Sequence, residues 1–117
     1  MRNIIKELGI KCILLFPILF FFSCHSNTEK VAVNNHHTDT VVIHQMQFDP
    51  AAITITKGDT IVWINKDMVD HNVTEEKSKA FISDTIHIGK IWKRAFTTDA
   101  DYYCSIHPTM KGKIIVK

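Results

Sequence analysis

Cys104, His107 and Met110 stand three residues apart in the run "YYCSIHPTM", close to the end of a 117-residue chain. A thiolate and a thioether select soft metals, and an imidazole suits copper or zinc. A structural zinc site is built from four Cys or His ligands, so the thioether points away from zinc. Two histidines and one cysteine in a near-trigonal set, with a weak axial methionine, form the donor set of a blue copper centre. The run supplies everything but the second histidine. Pro108 keeps this spacing off a helix, because its ring and missing N–H favour an extended, turning path.

The candidates for that histidine are His36, His37, His44, His71 and His87. His36 and His37 are adjacent in a polar stretch without further ligands, which describes solvated linker residues better than a metal site. His44 and His87 fall in strand-like stretches with no partner motif and read as surface or packing residues. His71 lies in "NKDMVDHNV", directly after an apolar run that must be a strand.

The elements that position these residues read as strands throughout. "VVIHQMQF", "AITIT", "TIVWIN", "AFISDTIHI", "KIWKRAF", "DYYC" and "KIIVK" are short, rich in β-branched and aromatic residues, and largely alternating. Lys57-Gly58-Asp59 is a turn signal between two of them. No stretch offers an amphipathic helix of three turns. The fold class is therefore all-β, a small Greek-key β-sandwich of about seven to eight strands. The apolar alternation spans about 77 residues, Val41 to Lys117. A core that small commonly leans on a staple, and a metal would serve.

The amino-terminal part differs in character. Arg2, Lys6 and Lys11 precede an apolar run of 11 residues, Cys12 to Phe22. A bilayer-crossing helix needs about 20, whereas a basic start and a short apolar core make a secretory signal. Pro17 inside the run fits a removed segment. "FFSC" resembles the lipobox of bacterial lipoproteins, with Cys24 as the lipidated residue and Phe21 where Leu is preferred. Residues 1–23 are thus expected to be a lipoprotein-type signal peptide, 24–39 a flexible tether and 40–117 the folded domain. Of 14 basic and 12 acidic residues, 11 of each lie from Cys24 onward. The mature chain has no basic excess, which argues against nucleic acid as a partner. Cys104 is then the one cysteine of the domain, so no disulfide can form within it.

The domain as a whole resembles the cupredoxins of the plastocyanin/azurin superfamily. Phe48-Asp49-Pro50 with "ITITKGDTIVWIN" resembles the family's early strands, His71-Asn72-Val73 its first ligand segment, and "DYYCSIHPTMKGKIIVK" its ligand loop and last strand. The short Cys104–His107–Met110 spacing is similar to the amicyanin-like branch, and the rest is also close to pseudoazurin-like proteins. The resemblance implies His71, Cys104 and His107 as equatorial ligands of one Cu(I)/Cu(II) ion and Met110 as the axial ligand. It implies that Asn72 ties the two ligand segments together, and that His107 is the electron route within a docking patch of Pro108, Met68, Val69 and Met46. Val69-Asp70 departs from the Met-Pro of the amicyanin-like branch and puts a charge near the site. A dinuclear copper site would need a second cysteine in the loop.

Donor set and resemblance together imply a blue copper protein that carries single electrons between redox partners such as a cytochrome, dehydrogenase or reductase. It is expected to be no enzyme and to have a monomeric domain. Its place would be the periplasm or cell surface, held to the membrane through Cys24. The alternative is a copper-binding or copper-delivery protein using the same ligands.

Overall fold

The computed structural model describes residues 35–117. The signal-like segment, Cys24 and most of the tether lie outside the described residues. Eight strands follow one another: β1 Thr38–His44, β2 Gln47–Asp49, β3 Ala52–Ile55, β4 Thr60–Asn65, β5 Thr74–Glu75, β6 Ile91–Ala95, β7 Ala100–Tyr103 and β8 Lys111–Val116. No helix is present among the described residues. The strands form two four-stranded sheets, in the orders β2-β1-β4-β6 and β3-β8-β7-β5. Two pairings are parallel, β1 with β4 and β3 with β8, and the other four are antiparallel. Such a mixture arises when a Greek-key chain crosses between sheets.

Alternation along each strand sends one set of side chains inward. β4 buries Ile61, Trp63 and Asn65 and leaves Thr60, Val62 and Ile64 half-covered on its outer face. Trp63 is the hub of the core. Tyr102 and Phe96 stand edge-on to it at 5.5 and 5.9 Å between centroids, and Trp92 is tilted against it at 5.1 Å. Phe48 meets Tyr102 edge-on at 4.9 Å. Edge-to-face aromatic pairs of this kind add about 0.5–1.5 kcal/mol beyond their buried area.

Three features differ from the sequence reading. "VVIHQMQF" is not one strand. It folds back at Gln45-Met46, where φ is 50° and 60°, so that His44 pairs with Gln47. Two left-handed residues make a type I′ hairpin turn, a role usually given to Asn-Gly, so the sequence carries no punctuation there. "AFISDTIHI" is not a strand either. Its strand pairing is limited to isolated bridges, Ile82 with Thr74 and Ile86 with His71. Its alternation serves to seat Phe81, Ser83 and Ile86 while Ile82 and Ile88 remain exposed. Finally, β1 begins at Thr38, inside the stretch read as tether. His37 is already tied down, its N–H donating to Asp59 Oδ1 at 2.7 Å and its carbonyl accepting from Thr60 N at 2.9 Å.

The two ends of the sandwich have different contents. At one end lie Thr38 opposite Thr60, the Lys57–Asp59 turn and the carbonyl of Lys117, which accepts from Lys57 N. Gly58 sits there at φ +96°, and the ring of His36 covers it so closely that a Cβ would come within 2.3 Å of His36 Cε1. At the other end, β4 stops at Asn65 and β7 stops at Tyr103. The segments after those two stops carry His71 and Cys104.

Candidate metal centre

Asn65 shapes the first of these segments. Strand alternation turns its side chain inward, fully buried, and a buried amide must find partners. Its Nδ2 donates to the carbonyls of Val69 and Ile86, both at 2.8 Å, and its Oδ1 accepts from Asp67 N at 2.9 Å. These bonds fold residues 66–70 into a tight loop and bring the chain back at His71, which exchanges backbone bonds with Ile86.

The second segment closes on itself. Cys104 N donates to the carbonyl of Met110 at 3.1 Å, and Met110 N donates to that of His107 at 3.0 Å. The turn at Pro108 is therefore a closed loop and not a helix. Cys104 and Met110 face inward and are buried, while His107 is half-buried at the loop's outer side.

His71, Cys104 and His107 converge. His71 Nδ1 and His107 Nδ1 each lie 3.8 Å from Cys104 Sγ, and the two nitrogens are 3.2 Å apart. Among the described residues this is the one group of three or more potential ligand residues whose donor atoms lie within 4.8 Å of one another. The arrangement can be tested against a metal ion. A triangle with these sides has a point about 2.1 Å from each corner, within the usual metal–nitrogen range and slightly inside the metal–sulfur range. One soft thiolate and two imidazoles around such a point fit copper. Met110 is delivered to the same loop and borders a cleft with Met46 and Phe48. Of the histidine candidates, only His71 joins the cluster. His36 and His37 lie at the other end of the sandwich, and His44 ends β1 exposed.

The surroundings hold these groups in place. Asn72 N donates to Cys104 Sγ at 3.4 Å. The Asn72 side chain donates to Ser105 Oγ at 2.6 Å and accepts from Ser105 N at 2.7 Å, so its amide does bridge the two segments. Asp67 was not among the expected site residues. Its Oδ2 lies 3.2 Å from His71 Nε2 and accepts from Met46 N at 2.8 Å, while Oδ1 accepts from Met68 N at 2.9 Å. The amide donors of Met46 and Met68 hold its carboxyl below the usual carboxylate range. A signal was available: an Asp four residues before a candidate ligand histidine, and an Asn at an inward-facing strand position. Asp70, read as a free charge by the site, is paired with His87 Nδ1 at 3.0 Å.

Several large apolar residues of the loops at this end of the sandwich are uncovered. Met68 is 88% exposed, and Val69, Met46, Ile106 and Pro108 are exposed as well.

The comparisons with known proteins agree with this geometry. Residues 33–117 match the family of copper binding proteins, plastocyanin/azurin family. An amicyanin of Paracoccus versutus is 30% identical over 100 residues, covering 79% of this chain and 76% of that protein. A plastocyanin of a Synechococcus strain is 31% identical over 90 residues, covering 62% of this chain and 65% of its own length. A solved amicyanin variant in its reduced Cu(I) form superposes with a TM-score of 0.64 at 28% identity, covering 68% of this chain and 82% of that one. With the matched family spanning the whole sandwich and both ligand segments, the chain belongs to the plastocyanin/azurin family of copper-binding proteins.

Proposed function

We propose that this protein is a mononuclear type 1 copper protein that carries single electrons between redox partners outside the cytoplasm, with His71, Cys104, His107 and Met110 as its ligands. The observation that carries the reading is the convergence of two imidazole nitrogens and one buried thiol on a single point. Bound copper would supply the Cu(II)/Cu(I) couple. The chain's own residues do the rest. Asn65, Asn72 and Ser105 fix the two ligand segments to each other and to β4, so the donor atoms keep one arrangement in both oxidation states. The sandwich core beneath them, from Trp63 to Tyr102, resists rearrangement. His107 offers a ring that reaches from the buried thiol to the surface, within the apolar patch of Met68, Val69, Pro108 and Met46. Redox pairs meet in brief encounters that bury less than roughly 1,200 Å², and a few exposed apolar side chains suffice for that. The proposal gives the protein no catalytic turnover of its own.

The amino-terminal sequence supports anchoring at a bacterial membrane: a basic start, a short apolar run and Cys24 in a lipobox-like tetrad. On this reading the domain acts in the periplasm or at the cell surface as a lipoprotein, monomeric through its sandwich.

The test is to add Cu(II) to the metal-free protein. An intense visible thiolate-to-copper band is expected, and Cys104→Ser abolishes it. A colourless, tetragonal copper spectrum would refute the proposal. Challenging the reduced protein with a Cu(I) chelator separates a carrier, which keeps its metal through repeated cycles, from a delivery protein, which yields it.

A further inference from the structure

His71 is fully buried, and only its Nδ1 faces the thiol and the other imidazole. A neutral imidazole carries its proton on one nitrogen and a lone pair on the other. For Nδ1 to be the donor to a metal, Nε2 must hold the proton, and whatever accepts from Nε2 decides that tautomer. The acceptor here is the carboxylate of Asp67, 3.2 Å away.

Three bonds place this carboxylate independently of His71. Met46 N donates to the same oxygen, Met68 N donates to the other, and Asp67 N is held by Asn65. Its side chain is only 14% exposed. A charge fixed in place and largely removed from water acts on its neighbours with little screening. Other anions reach this end of the sandwich less directly, since Asp70 is exposed and paired with His87.

We propose that Asp67 is a positioning residue of the metal centre: it locks His71 in the Nε2–H tautomer and, through its negative charge, biases bound copper toward the oxidised state. This goes beyond the electron-carrier reading and rests on it only for the second half. The same carboxylate also caps the strained Gln45-Met46 turn, so a purely structural role, bolting the β1–β2 hairpin to the ligand loop, is the competing explanation.

Two variants of the full chain separate them. In Asp67→Asn one oxygen remains to accept from His71 and Met46, and the charge is gone. Its reduction potential is expected to rise by the equivalent of a tenfold loss of Cu(II) over Cu(I) preference, about 59 mV for one electron. An unchanged potential overturns the charge role, whatever happens to stability. In Asp67→Ala the acceptor itself is lost. Nitrogen-15 spectra of the metal-free protein are expected to show His71 as a single Nε2–H tautomer in the parent and a mixture in this variant. An unmixed tautomer there overturns the positioning role. Adding Met46→Gly to either variant relieves the turn. If the potential and tautomer then return to parent values, Asp67 is only a bolt, and if they stay shifted the proposal stands. The tautomer measurement needs no copper, so its outcome is separate from failure of the blue-copper reading.

Discussion

Asn72 and Ser105 exchange two hydrogen bonds, each giving one and taking one, directly beside the proposed ligands His71 and Cys104. Neither bond runs along a strand, and together with Asn72 N on Cys104 Sγ the pair ties the segment after β4 to the segment after β7 at the candidate metal centre. Each bond is worth about 0.5–1.5 kcal/mol. Asn72→Ala should therefore lower stability by about 1–2 kcal/mol and hasten copper loss to a chelator. Ser105→Ala keeps the backbone donor and should cost about half as much. Calorimetry of both variants checks this, and equal losses from the two would contradict the assignment.

Tyr102 lies across Gly112, its cross-strand partner. A Cβ at position 112 would come 2.1 Å from Tyr102 Cζ. Gly112→Ala must displace the ring at the centre of the core, and overpacking of that sort costs about 1–3 kcal/mol. The Tyr102 hydroxyl is buried with no hydrogen-bond partner among the described residues, and burial pushes its pKa up to about 12. Because the folded value lies above the unfolded one, this hydroxyl weakens the fold as pH rises from 10 through 12. Tyr102→Phe should leave stability at neutral pH unchanged or improved and remove that alkaline loss. Denaturant midpoints at neutral pH and near the raised pKa decide it. A loss above about 1 kcal/mol at neutral pH would mean the hydroxyl has a partner.

Glu75 organises the loop after β5. Its carboxylate accepts from Lys77 N at 3.0 Å, from Ser78 N at 2.6 Å and Ser78 Oγ at 2.8 Å, and from Ala80 N at 3.3 Å. These donors, Lys77 N foremost, pull its pKa down to about 2. With the folded value depressed, the contribution is fully present above about 4.5 and drains away as pH falls toward 2. Amide exchange at Lys77 and Ser78 should accelerate across that window in the parent. In Glu75→Gln it should be fast already at neutral pH and flat below it. Protection that survives in the variant to the acid end of the window would show that the loop is held by something else.

Met68, with 88% of its surface exposed, should matter to encounter and not to folding. Met68→Lys is expected to shift the melting temperature by less than about 1–2 °C, since isolated surface changes stay within about 0.5 kcal/mol. It should slow electron self-exchange of the copper-loaded protein at least tenfold at low salt, with recovery as salt screens the like charges. NMR line broadening in mixtures of the two oxidation states measures the rate. An unaltered rate would move the docking patch elsewhere.

Three of the four proposed ligands were legible because their chemistry is local: Cys104, His107 and Met110 lie within seven residues. His71, 33 positions upstream of Cys104, was one of five candidate histidines until the family resemblance singled it out. The sandwich was legible from alternation, since Ile61-Trp63-Asn65 and Val41-Ile43 show the two-residue period of half-buried strands. Asp67 stood four residues before His71, a signal the reading passed over, and Ser105 offered none; what fixes both lies far along the chain. Their roles depend on partners 21 and 33 positions away, Met46 and Asn72, and nothing in a linear pattern reports such a meeting. The Gln45-Met46 turn was hidden for a similar reason. Local preference opposes it, and Asp67, contributed by a different loop, offsets the cost. "AFISDTIHI" misled because alternation reports which side chains are covered, and a loop lying over the core is covered on one side as a strand is.

The chain joins the sandwich where Thr38 meets Thr60, while the donor atoms gather beyond Asn65 at the far end of the same pair of strands. Five residue steps along β1 separate these points by about 17 Å. The start of β1 and the cluster of donor atoms thus stand at opposite ends of that strand pair. On the proposed anchor and electron route, a visiting partner would meet His107 at the end away from where β1 begins, so immobilising the domain through Thr38 would leave exchange unhindered.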